Sequence, residues 1–464
     1  MNIKNTIKEL KTFLILWSTQ SLSQLGSAMT NFALTLWLYQ KTGSALQTAL
    51  LSICSYAPYV LLSIFAGAFS DRWDKKKVML FSDLSAACCT AAVLLLLKTE
   101  ALRPAHMYLL NAINGLMNTV QQPAGDVAMT LITPAKHYQK TSGMRSLSNA
   151  LVTILNPVFA TALFAFAGME AVIYTDLATF GAAFVTLLLF VRIPAVSAKR
   201  EMPAEAEKLS ETANPAEKKK PREMETLPEP AKREGVFESV TTGLSYLKDH
   251  PLILVLILFL AAVNFVASAF DAVLPALILP RNNGGEAVLG IVMSCAGMAT
   301  LAGSLAVTLL PAPKNRVRVI YVTMLISLST ENFLLAFTRE PAVWCAAQVI
   351  GWILVPVMSA NLDVILRTTI PVEMQGRVYA CRNTLQYFTI PVGFFFGGLL
   401  VDKVCEPLMS AAAPEGLLRL CFGSGKGSGA AMMMCMLGIL GTGICLCFGR
   451  MLSGYSDEVP GKRG

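Results

Sequence analysis

Residues 67–77 have the sequence GAFSDRWDKKK and separate two long apolar blocks. Gly67 falls in the last turn of the first block, where the absence of a side chain lets a neighbouring helix approach closely. Asp71 stands where that helix is expected to end, and a run of three lysines follows at the depth of the lipid headgroups. A short charged turn between two apolar blocks is typical of consecutive membrane-spanning helices.

The blocks on either side of this turn belong to a chain that is 54% hydrophobic and only 15% charged. A helix needs about 20 predominantly apolar residues to cross a bilayer, and blocks of this length recur along the chain. Open strand edges cannot satisfy their hydrogen bonds in lipid, so every block is predicted to be helical. We therefore predict an all-α membrane protein with twelve transmembrane helices, at residues 13–38, 46–70, 77–98, 105–130, 145–167, 170–192, 252–279, 286–310, 317–338, 341–366, 378–402 and 429–449.

The distribution of Lys and Arg predicts the orientation, because cytoplasmic loops carry an excess of these residues. With the N-terminus in the cytoplasm, most of the Lys and Arg outside the central linker fall in cytoplasmic loops. Both chain termini are then predicted to be cytoplasmic. Since placement at the membrane surface explains the net charge of +8, we predict the lipid bilayer as partner, and no nucleic acid.

A polar segment divides the predicted helices six and six. Residues 193–235 are rich in Lys, Glu, Pro and Ala and have few large apolar residues, which is typical of a disordered linker. Residues 237–250 form a short amphipathic segment that leads into the seventh helix. We predict an N-terminal six-helix bundle at residues 1–192, a cytoplasmic linker at 193–250 and a pseudo-symmetric C-terminal six-helix bundle at 251–464.

A charged pattern recurs in the two halves at a constant offset. Each copy spans the end of one helix, a turn and the start of the next helix. Paired halves are a common plan of transporters, in which the substrate site lies between the halves. The matched residues are Asp126, Pro134, Lys140 and Arg145 in the first half and Asp363, Pro371, Arg377 and Arg382 in the second.

Together, the charged turn, the six-plus-six arrangement and the repeat resemble the major facilitator superfamily of membrane transporters. That family carries a Gly-x-x-x-Asp-Arg-x-Gly-Arg-Arg motif in this turn. Here Asp74 replaces the second Gly, and lysines replace the arginines. The resemblance covers the chain apart from the linker and the C-terminal tail, and it implies two six-helix bundles that rock about a central site.

The resemblance also implies a cytoplasmic latch whose salt bridges form in one conformation and break in the other. The alternative is that these charges only anchor helix ends at the membrane surface, which suits the lysines of the turn better. The candidate gating residues are Gly67, Asp71, Arg72, Asp126, Arg145, Asp363 and Arg382.

Polar side chains recur every three or four residues in predicted helices 1, 4 and 7, which places each set on one helix face. Amides that faced lipid would lose their hydrogen-bond partners at a cost of a few kcal/mol each. We expect them to face a water-filled cavity, or alternatively to bond neighbouring helices. The candidate cavity residues are Gln20, Gln24 and Asn31 of helix 1, Asn114 and Asn118 of helix 4, and Asn264 and Asp271 of helix 7.

Acidic residues inside the spans are candidates for proton coupling, because a charge at mid-bilayer costs at least about 2.5–3.5 kcal/mol on insertion scales. Asp271 ranks first since it shares a helix face with Asn264, although a buried hydrogen-bonded acid is the alternative. Glu331 ranks second and Asp176 third, because their helices are peripheral in the resembled family. Asp83 lies near a cytoplasmic helix end, and a structural role is favoured for it.

Within the superfamily, the chain looks most like bacterial drug exporters of the macrolide-efflux type. The cues are QLG at 24–26, TGS at 42–44 and QPA at 122–124. The resemblance implies a monomer that exports small lipophilic compounds across the bacterial inner membrane by proton-coupled alternating access. An importer or a lysophospholipid or siderophore transporter of the same fold is one alternative, and a non-transporting membrane sensor or scaffold is another.

The sequence carries no nucleophile–base pair and no metal-ligand set within a span, so we predict no enzymatic activity, cofactor or metal. The expected partners in the transport cycle are a small molecule and a proton. Cys405 and Cys421 share a predicted external loop. A disulfide between them is a hypothesis, and two free thiols are the alternative.

Overall fold

The computed structural model describes residues 9–134, 137–193, 236–309, 311 and 313–454, and within these ranges it leaves out the side chains of residues 63–72, 139, 236–240, 372, 373, 375, 376 and 380. The described part of the chain is helical, with no strand in it. The all-α membrane fold predicted from the sequence is therefore confirmed.

Among the described residues, five helices precede the linker: α1 (Lys11–Thr42), α2 (Ala45–Arg72), α3 (Lys75–Lys98), α4 (Pro104–Ile132) and α5 (Tyr138–Leu189). The rest of the chain begins with α6 (Val236–Asp249), α7 (Pro251–Ile278), α8 (Glu286–Leu309), α9 (Arg316–Phe337), α10 (Pro341–Ile353), α11 (Val355–Thr369), α12 (Val372–Tyr387) and α13 (Thr389–Leu400). A π-helical turn (Val401–Cys405) follows, and then α14 (Glu406–Ala411), α15 (Leu417–Phe422) and α16 (Ser428–Ser453).

Polar residues at the helix boundaries explain several of these starts. Ser44 and Asp74 precede α2 and α3, and their side-chain oxygens accept hydrogen bonds from the backbone N–H three residues later, at 3.1 and 3.0 Å. Asn315 caps α9 in the same way at 2.9 Å. Each cap satisfies a backbone N–H that has no partner inside its helix. These residues therefore fix where the spans begin.

Four predicted spans are interrupted or fused in the structure. Gly168 has φ +75° inside α5, so this helix contains the two predicted spans at 145–167 and 170–192, with a break between them. The tenth span divides into α10 and α11, two residues before Pro356. The eleventh divides into α12 and α13, just before Pro391. A proline removes one backbone hydrogen bond of the preceding turn, which favours a break there.

Among the described residues, nine helices or helix runs are long and apolar enough to cross a membrane. One of them is α5, which covers two predicted spans. Helices α1 and α4 are not among these nine. They are long enough, at 32 and 29 residues, but they are less apolar. Both carry the polar stripes noted in the sequence, and these stripes lower their mean hydropathy. The count of twelve transmembrane helices stays a prediction.

The helices before the linker pack chiefly through α1 with α5 and α2 with α4. Two further helix pairs join this group to the rest of the chain, namely α2 with α13 and α5 with α8. Gly398 of α13 lies so close to α2 that a Cβ atom there would be 2.6 Å from the Cα of Leu46. In the other pair, the Ser294 hydroxyl donates to the carbonyl oxygen of Ile154 at 3.0 Å. We refer to the residues before and after the linker as the two halves.

Helix α7 forms the centre of the second half, and most of its residues are buried. Just beyond it, Arg281 donates at 3.3 Å to the carbonyl oxygens of Thr338, Phe422 and Gly427, which lie in three separate segments. Burial and the nearby Arg339 lower the pKa of Arg281 to about 10, so its guanidinium remains charged at neutral pH. Arg281 therefore ties together the ends of several helices at one end of this half.

Helix α6 corresponds to the amphipathic segment predicted before the seventh span. Leu247 on its apolar face is fully buried, and the Tyr246 hydroxyl donates to the Thr369 carbonyl oxygen at 3.3 Å. The helix thereby rests on the end of α11 and on α12. The predicted linker residues 194–235 lie outside the described residues, and the proposed domain boundaries at 1–192, 193–250 and 251–464 stay a prediction.

Both Cys405 and Cys421 are free thiols in the structure. Cys405 is buried in the π-helical turn, whereas Cys421 belongs to α15. The hypothesis of a disulfide between them is therefore wrong. The sequence places them in one loop, but the helix continues past residue 402 and takes Cys405 into the packed core of the second half.

Candidate transport cavity

A cavity of about 920 Å³ lies against the helices of the first half. Its lining extends from Thr35, near the end of α1, to Asp126 and Arg145 at the opposite end of the molecule. The Asp126 and Arg145 side chains are 49% and 44% exposed, which indicates an opening of the cavity at that end. The predicted residues that line it are Gln20, Gln24, Asn31 and Asn118. Further polar residues of α1, α4 and α5 join them, namely Ser27, Asn111, Gln121, Asn149 and Asn156.

Gln20 lies in the cavity wall together with an acid from another helix. Its amide Nε2 donates to Asp83 Oδ2 at 3.2 Å, and Gln121 Nε2 donates to the other carboxylate oxygen of Asp83. The carboxylate therefore joins α1, α3 and α4, and Asp83 is only 9% exposed although it borders the cavity. Sequence reasoning favoured a structural role for Asp83 and missed its place in the cavity wall.

Asp176 of α5 occupies a similar position beside a later part of α1. It accepts hydrogen bonds from the Ser27 hydroxyl at 3.0 Å and the Thr90 hydroxyl at 3.3 Å, and it is 3% exposed. Like Asp83, it borders the cavity and joins α1 to α3. All of these donors to Asp83 and Asp176 are neutral groups. The first half thus brings two acids to the cavity wall.

Asp271 is exposed, although it lies in the most buried helix of the structure, between the buried residues Phe270 and Ala272. An exposed acid in such surroundings indicates that the side chain borders open space between helices. Asp271 interacts electrostatically with Tyr56, which lines the cavity, and with Glu331. Asp271 is outside the residues that line the cavity, but its interaction with Tyr56 brings it near the cavity wall, on the side of the second half.

Glu331 is 5% exposed and lies between α9 and α10. Trp352 of α10 lies near its carboxylate, and within the described part of the chain its Oε1 atom has no hydrogen-bond partner. Gly351 faces the carboxylate so closely that any larger side chain there would collide with it. This acid is therefore enclosed in the helix bundle, and its link to the cavity passes through its interaction with Asp271.

Two predicted cavity residues lie elsewhere. The Asn264 amide donates to the carbonyl oxygen of Gln386 at 3.1 Å and so joins α7 to α12, which is the alternative that the sequence left open. Asn114 is outside the residues that line the cavity, and its buried Oδ1 atom has no hydrogen-bond partner in the described part of the chain. The structure does not bring either residue together with the cavity residues of α1.

Of the predicted gating residues, four form two ion pairs at equivalent positions of the repeat. Arg145 pairs with Asp126 in the first half, and Arg382 lies 3.9 Å from Asp363 in the second. Both pairs are partly exposed, and exposed pairs contribute about 0–1 kcal/mol to stability. A weak pair of this kind can break and reform during a conformational change. The side chains of Gly67, Asp71 and Arg72 lie outside the described residues.

Aromatic rings from both halves meet beside the cavity. Tyr56 stacks on Phe394 with ring centres 6.1 Å apart, and Tyr59 lies at the same distance from Tyr387. In each pair the first ring lines the cavity and the second comes from the other half. The cavity therefore combines amides, carboxylates and aromatic surface.

Comparison with known proteins identifies this arrangement. Residues 16–394 match the family model described as Major Facilitator Superfamily. The chain belongs to the major facilitator superfamily. It is accordingly a multi-pass membrane transporter of small molecules and not an enzyme, as the sequence predicted.

Some proteins with similar sequences are named as efflux proteins. Macrolide efflux protein A of Streptococcus pyogenes is 22% identical over 395 residues, which are 84% of this chain and 90% of that protein. The multidrug efflux pump Tap of Mycolicibacterium fortuitum is 23% identical over 386 residues, which are 81% and 86% of the two chains. The resemblance to the macrolide-efflux branch is thus confirmed at the level of sequence similarity.

Solved structures of the superfamily show the same fold. A bacterial homologue of the human lysosomal transporter Spinster, in an inward-facing and unoccupied conformation, has a TM-score of 0.68 and 14% identity, with 97% of this chain and 98% of that chain covered. A bacterial homologue of the iron transporter ferroportin, in an inward-facing state, has a TM-score of 0.63 and 13% identity, with 95% and 98% covered. At these identities the likeness establishes the fold alone.

Proposed function

We propose that the protein exports small lipophilic, drug-like compounds by alternating access. The observation that carries this proposal is the cavity of about 920 Å³ beside the boundary between the halves, in a chain whose relatives are named as macrolide and multidrug efflux proteins. Cavities of roughly 300–1,000 Å³ enclose drug-sized ligands. Size and similarity together favour drug-like molecules over ions or single sugars as substrates.

The wall of the cavity supports a lipophilic substrate with some polar groups. Tyr56 and Tyr59 present aromatic surface, while Gln24, Asn31 and Asn118 present amides that donate and accept hydrogen bonds. Aromatic surface binds apolar rings of varied shape, whereas amides adapt to different polar groups. A wall of this composition favours a broad range of compounds over one specific solute.

The direction of opening supports release from the cytoplasm. The cavity opens at the end that carries Asp126 and Arg145, and the distribution of Lys and Arg predicts this end to be cytoplasmic. A substrate would enter there and leave after the halves rock to open the opposite end. We propose that the pairs Asp126–Arg145 and Asp363–Arg382, with Gly67, Asp71 and Arg72 of the charged turn, close the cytoplasmic end during that step.

We propose that a proton gradient drives the export and that Asp271 carries the proton, with Glu331 as a second site. A carboxyl group can alternate between a charged and a neutral form, and the neutral form tolerates low-dielectric surroundings far better. Asp271 is exposed within a helix that is otherwise mostly buried, and it interacts with Tyr56 of the cavity wall, which supports access of water to it from the cavity. Its interaction with Glu331 would allow the two acids to influence each other's charge.

Accumulation of labelled macrolides and lipophilic dyes in bacterial cells tests the proposal. We expect cells that express the protein to accumulate several-fold less compound than cells with the empty vector, and a proton uncoupler to remove the difference. Equal accumulation in both strains under all conditions would contradict export. Uptake of a solute that supports growth would favour an importer, flux of lysophospholipid or siderophore would change the substrate class, and no flux in proteoliposomes would favour a sensor.

A further inference from the structure

Asp402 of the second half holds the first turn of α2 in the other half. Its Oδ1 atom accepts a hydrogen bond from the backbone N–H of Ala45 at 3.0 Å. Its Oδ2 atom accepts one from the backbone N–H of Leu46 at 2.9 Å and one from the Ser44 hydroxyl at 2.5 Å. Both carboxylate oxygens are therefore engaged across the boundary between the halves.

The local geometry of the second half directs this carboxylate towards α2. Asp402 lies in the π-helical turn, where the helix is wider by one residue per turn, and such turns often occur at functional sites. Val401 and Cys405 on the same turn are buried in the second half. Gly398, one turn earlier, allows the close approach of α2 described above. The turn is thus anchored on one side and presents Asp402 on the other.

The start of a helix is a favourable partner for a carboxylate. The first N–H groups of a helix have no partners within the helix, and they carry a partial positive charge. Hydrogen bonds from such donors to a carboxylate are stronger than bonds between neutral groups. Ser44 already caps α2 from within its own chain segment by accepting from the N–H of Gln47. Asp402 therefore adds a second set of bonds that α2 does not need in order to begin.

Other contacts between the halves lie at the same end of the molecule. Gln40, near the end of α1, donates to the Glu286 carboxylate at the start of α8. Leu36 and Ala45 of the first half are part of the hydrophobic core that is built mainly by the second half. This end is closed, whereas the cavity opens at the end that carries Asp126 and Arg145. Each of these contacts must break before the cavity can open here.

We propose that Asp402 is a positioning residue of the transport cycle, and that its bonds to the start of α2 hold the closed end shut while the cavity is open at the other end. The inference rests on alternating access, which is part of the proposed function, but not on the identity of the substrate. Loss of the carboxylate charge should shift the equilibrium towards the state in which this end is open.

Distances between pairs of spin labels in the full-length protein, reconstituted in lipid nanodiscs, test the inference. The eleven cysteines of the chain would compete for thiol labels, so a genetically encoded ketone amino acid carries the label. Positions 41 and 340 report on the closed end, and positions 140 and 368 on the open end. All four residues, namely Lys41, Glu340, Lys140 and Thr368, are exposed, and each pair has one member in each half.

Asp402→Asn should lengthen the first distance and shorten the second, and we expect the ratio of the two populations to change about ten-fold. Lys403→Gln is the matched control, because it changes one charge at the adjacent exposed residue, and it should leave both distances as in the wild type. Unchanged distances in Asp402→Asn, or broadening of both distances together, would overturn the inference.

If Asp402→Asn does not fold, Asp402→Glu, which keeps the charge on a longer side chain, is measured in its place. A shift in the same direction is then expected, and none would overturn the inference.

These measurements separate the inference from the proposed function. The distances are recorded without substrate and without a proton gradient. A protein that fails to export any macrolide or dye can still show the expected shift. A protein that exports them can still show none.

Discussion

Replacement of Asp271 by Asn is expected to abolish the dependence of export on the proton gradient and to reduce export against a concentration gradient about ten-fold or more. Asn has nearly the shape of Asp but cannot gain or lose a proton, so the variant remains in one charge state throughout the cycle. Asp271 is exposed beside the cavity and interacts with Tyr56 and Glu331, so its charge is sensed on both sides of the boundary between the halves.

The measurement is drug efflux from inverted membrane vesicles or proteoliposomes at several imposed pH gradients. Wild-type flux should rise with the gradient, whereas flux in Asp271→Asn should be the same at every gradient and should only run downhill. Glu415→Gln makes the same chemical change at an exposed loop residue and should behave as the wild type. If Asp271→Asn kept the wild-type pH dependence, Asp271 would not be the coupling residue.

The polar face of α1 can be predicted from the sequence, because the period of an α-helix alone places Gln20, Gln24 and Asn31 on one side. The sequence could not predict that Gln20 meets Asp83. That contact depends on how α1 and α3 are rotated about their own axes, and the rotation is set by packing of the whole helix group. A structural role for Asp83 was favoured because Asp83 is near a helix end, whereas the structure also places it in the cavity wall.

The sequence left two roles open for the amides of helix 7, and the structure distinguishes them residue by residue. Asn264 and Asp271 lie seven residues apart, which is close to two helical turns, so a shared face was expected. Helix α7 is surrounded by other helices. Asn264 donates a hydrogen bond to the backbone of α12, whereas Asp271, two turns later, is exposed. Spacing predicts that two residues share a helix face, but it cannot predict that one of them is packed against a neighbouring helix and the other is exposed.

The role of Asp402 was not predicted, for a specific physical reason. Hydropathy predicts that the eleventh span ends at residue 402, and an acid at a helix end carries no special signal. In the structure the helix continues through a π-helical turn, which changes the direction of every side chain that follows. Only the close packing of Gly398 against Leu46 then places the carboxylate at the start of α2.

Substitution of Gly115 by Ala should severely destabilise the first half. Gly115 of α4 faces α2, and a Cβ atom there would be 2.9 Å from the carbonyl carbon of Ser55 and still closer to its oxygen. The obstacle is backbone, which cannot rotate away as the end of a side chain can. The two helices would have to separate, and this would loosen the contact between α2 and α4 on which the cavity wall depends. Overpacking of this kind costs about 1–3 kcal/mol or more.

Thermal unfolding of the purified protein in detergent measures the effect, and a melting temperature several degrees below that of the wild type is expected. Gly125→Ala is the matched control on the same helix, since among the described residues no atom outside the adjoining backbone of α4 lies within 4 Å of the added Cβ there. Because Ala favours the helix over Gly by about 1 kcal/mol, this control should be as stable as the wild type or slightly more stable. Equal melting temperatures for the two variants would mean that α2 and α4 can move apart without cost, and the cavity wall would then be far less rigid than the close approach at Gly115 implies.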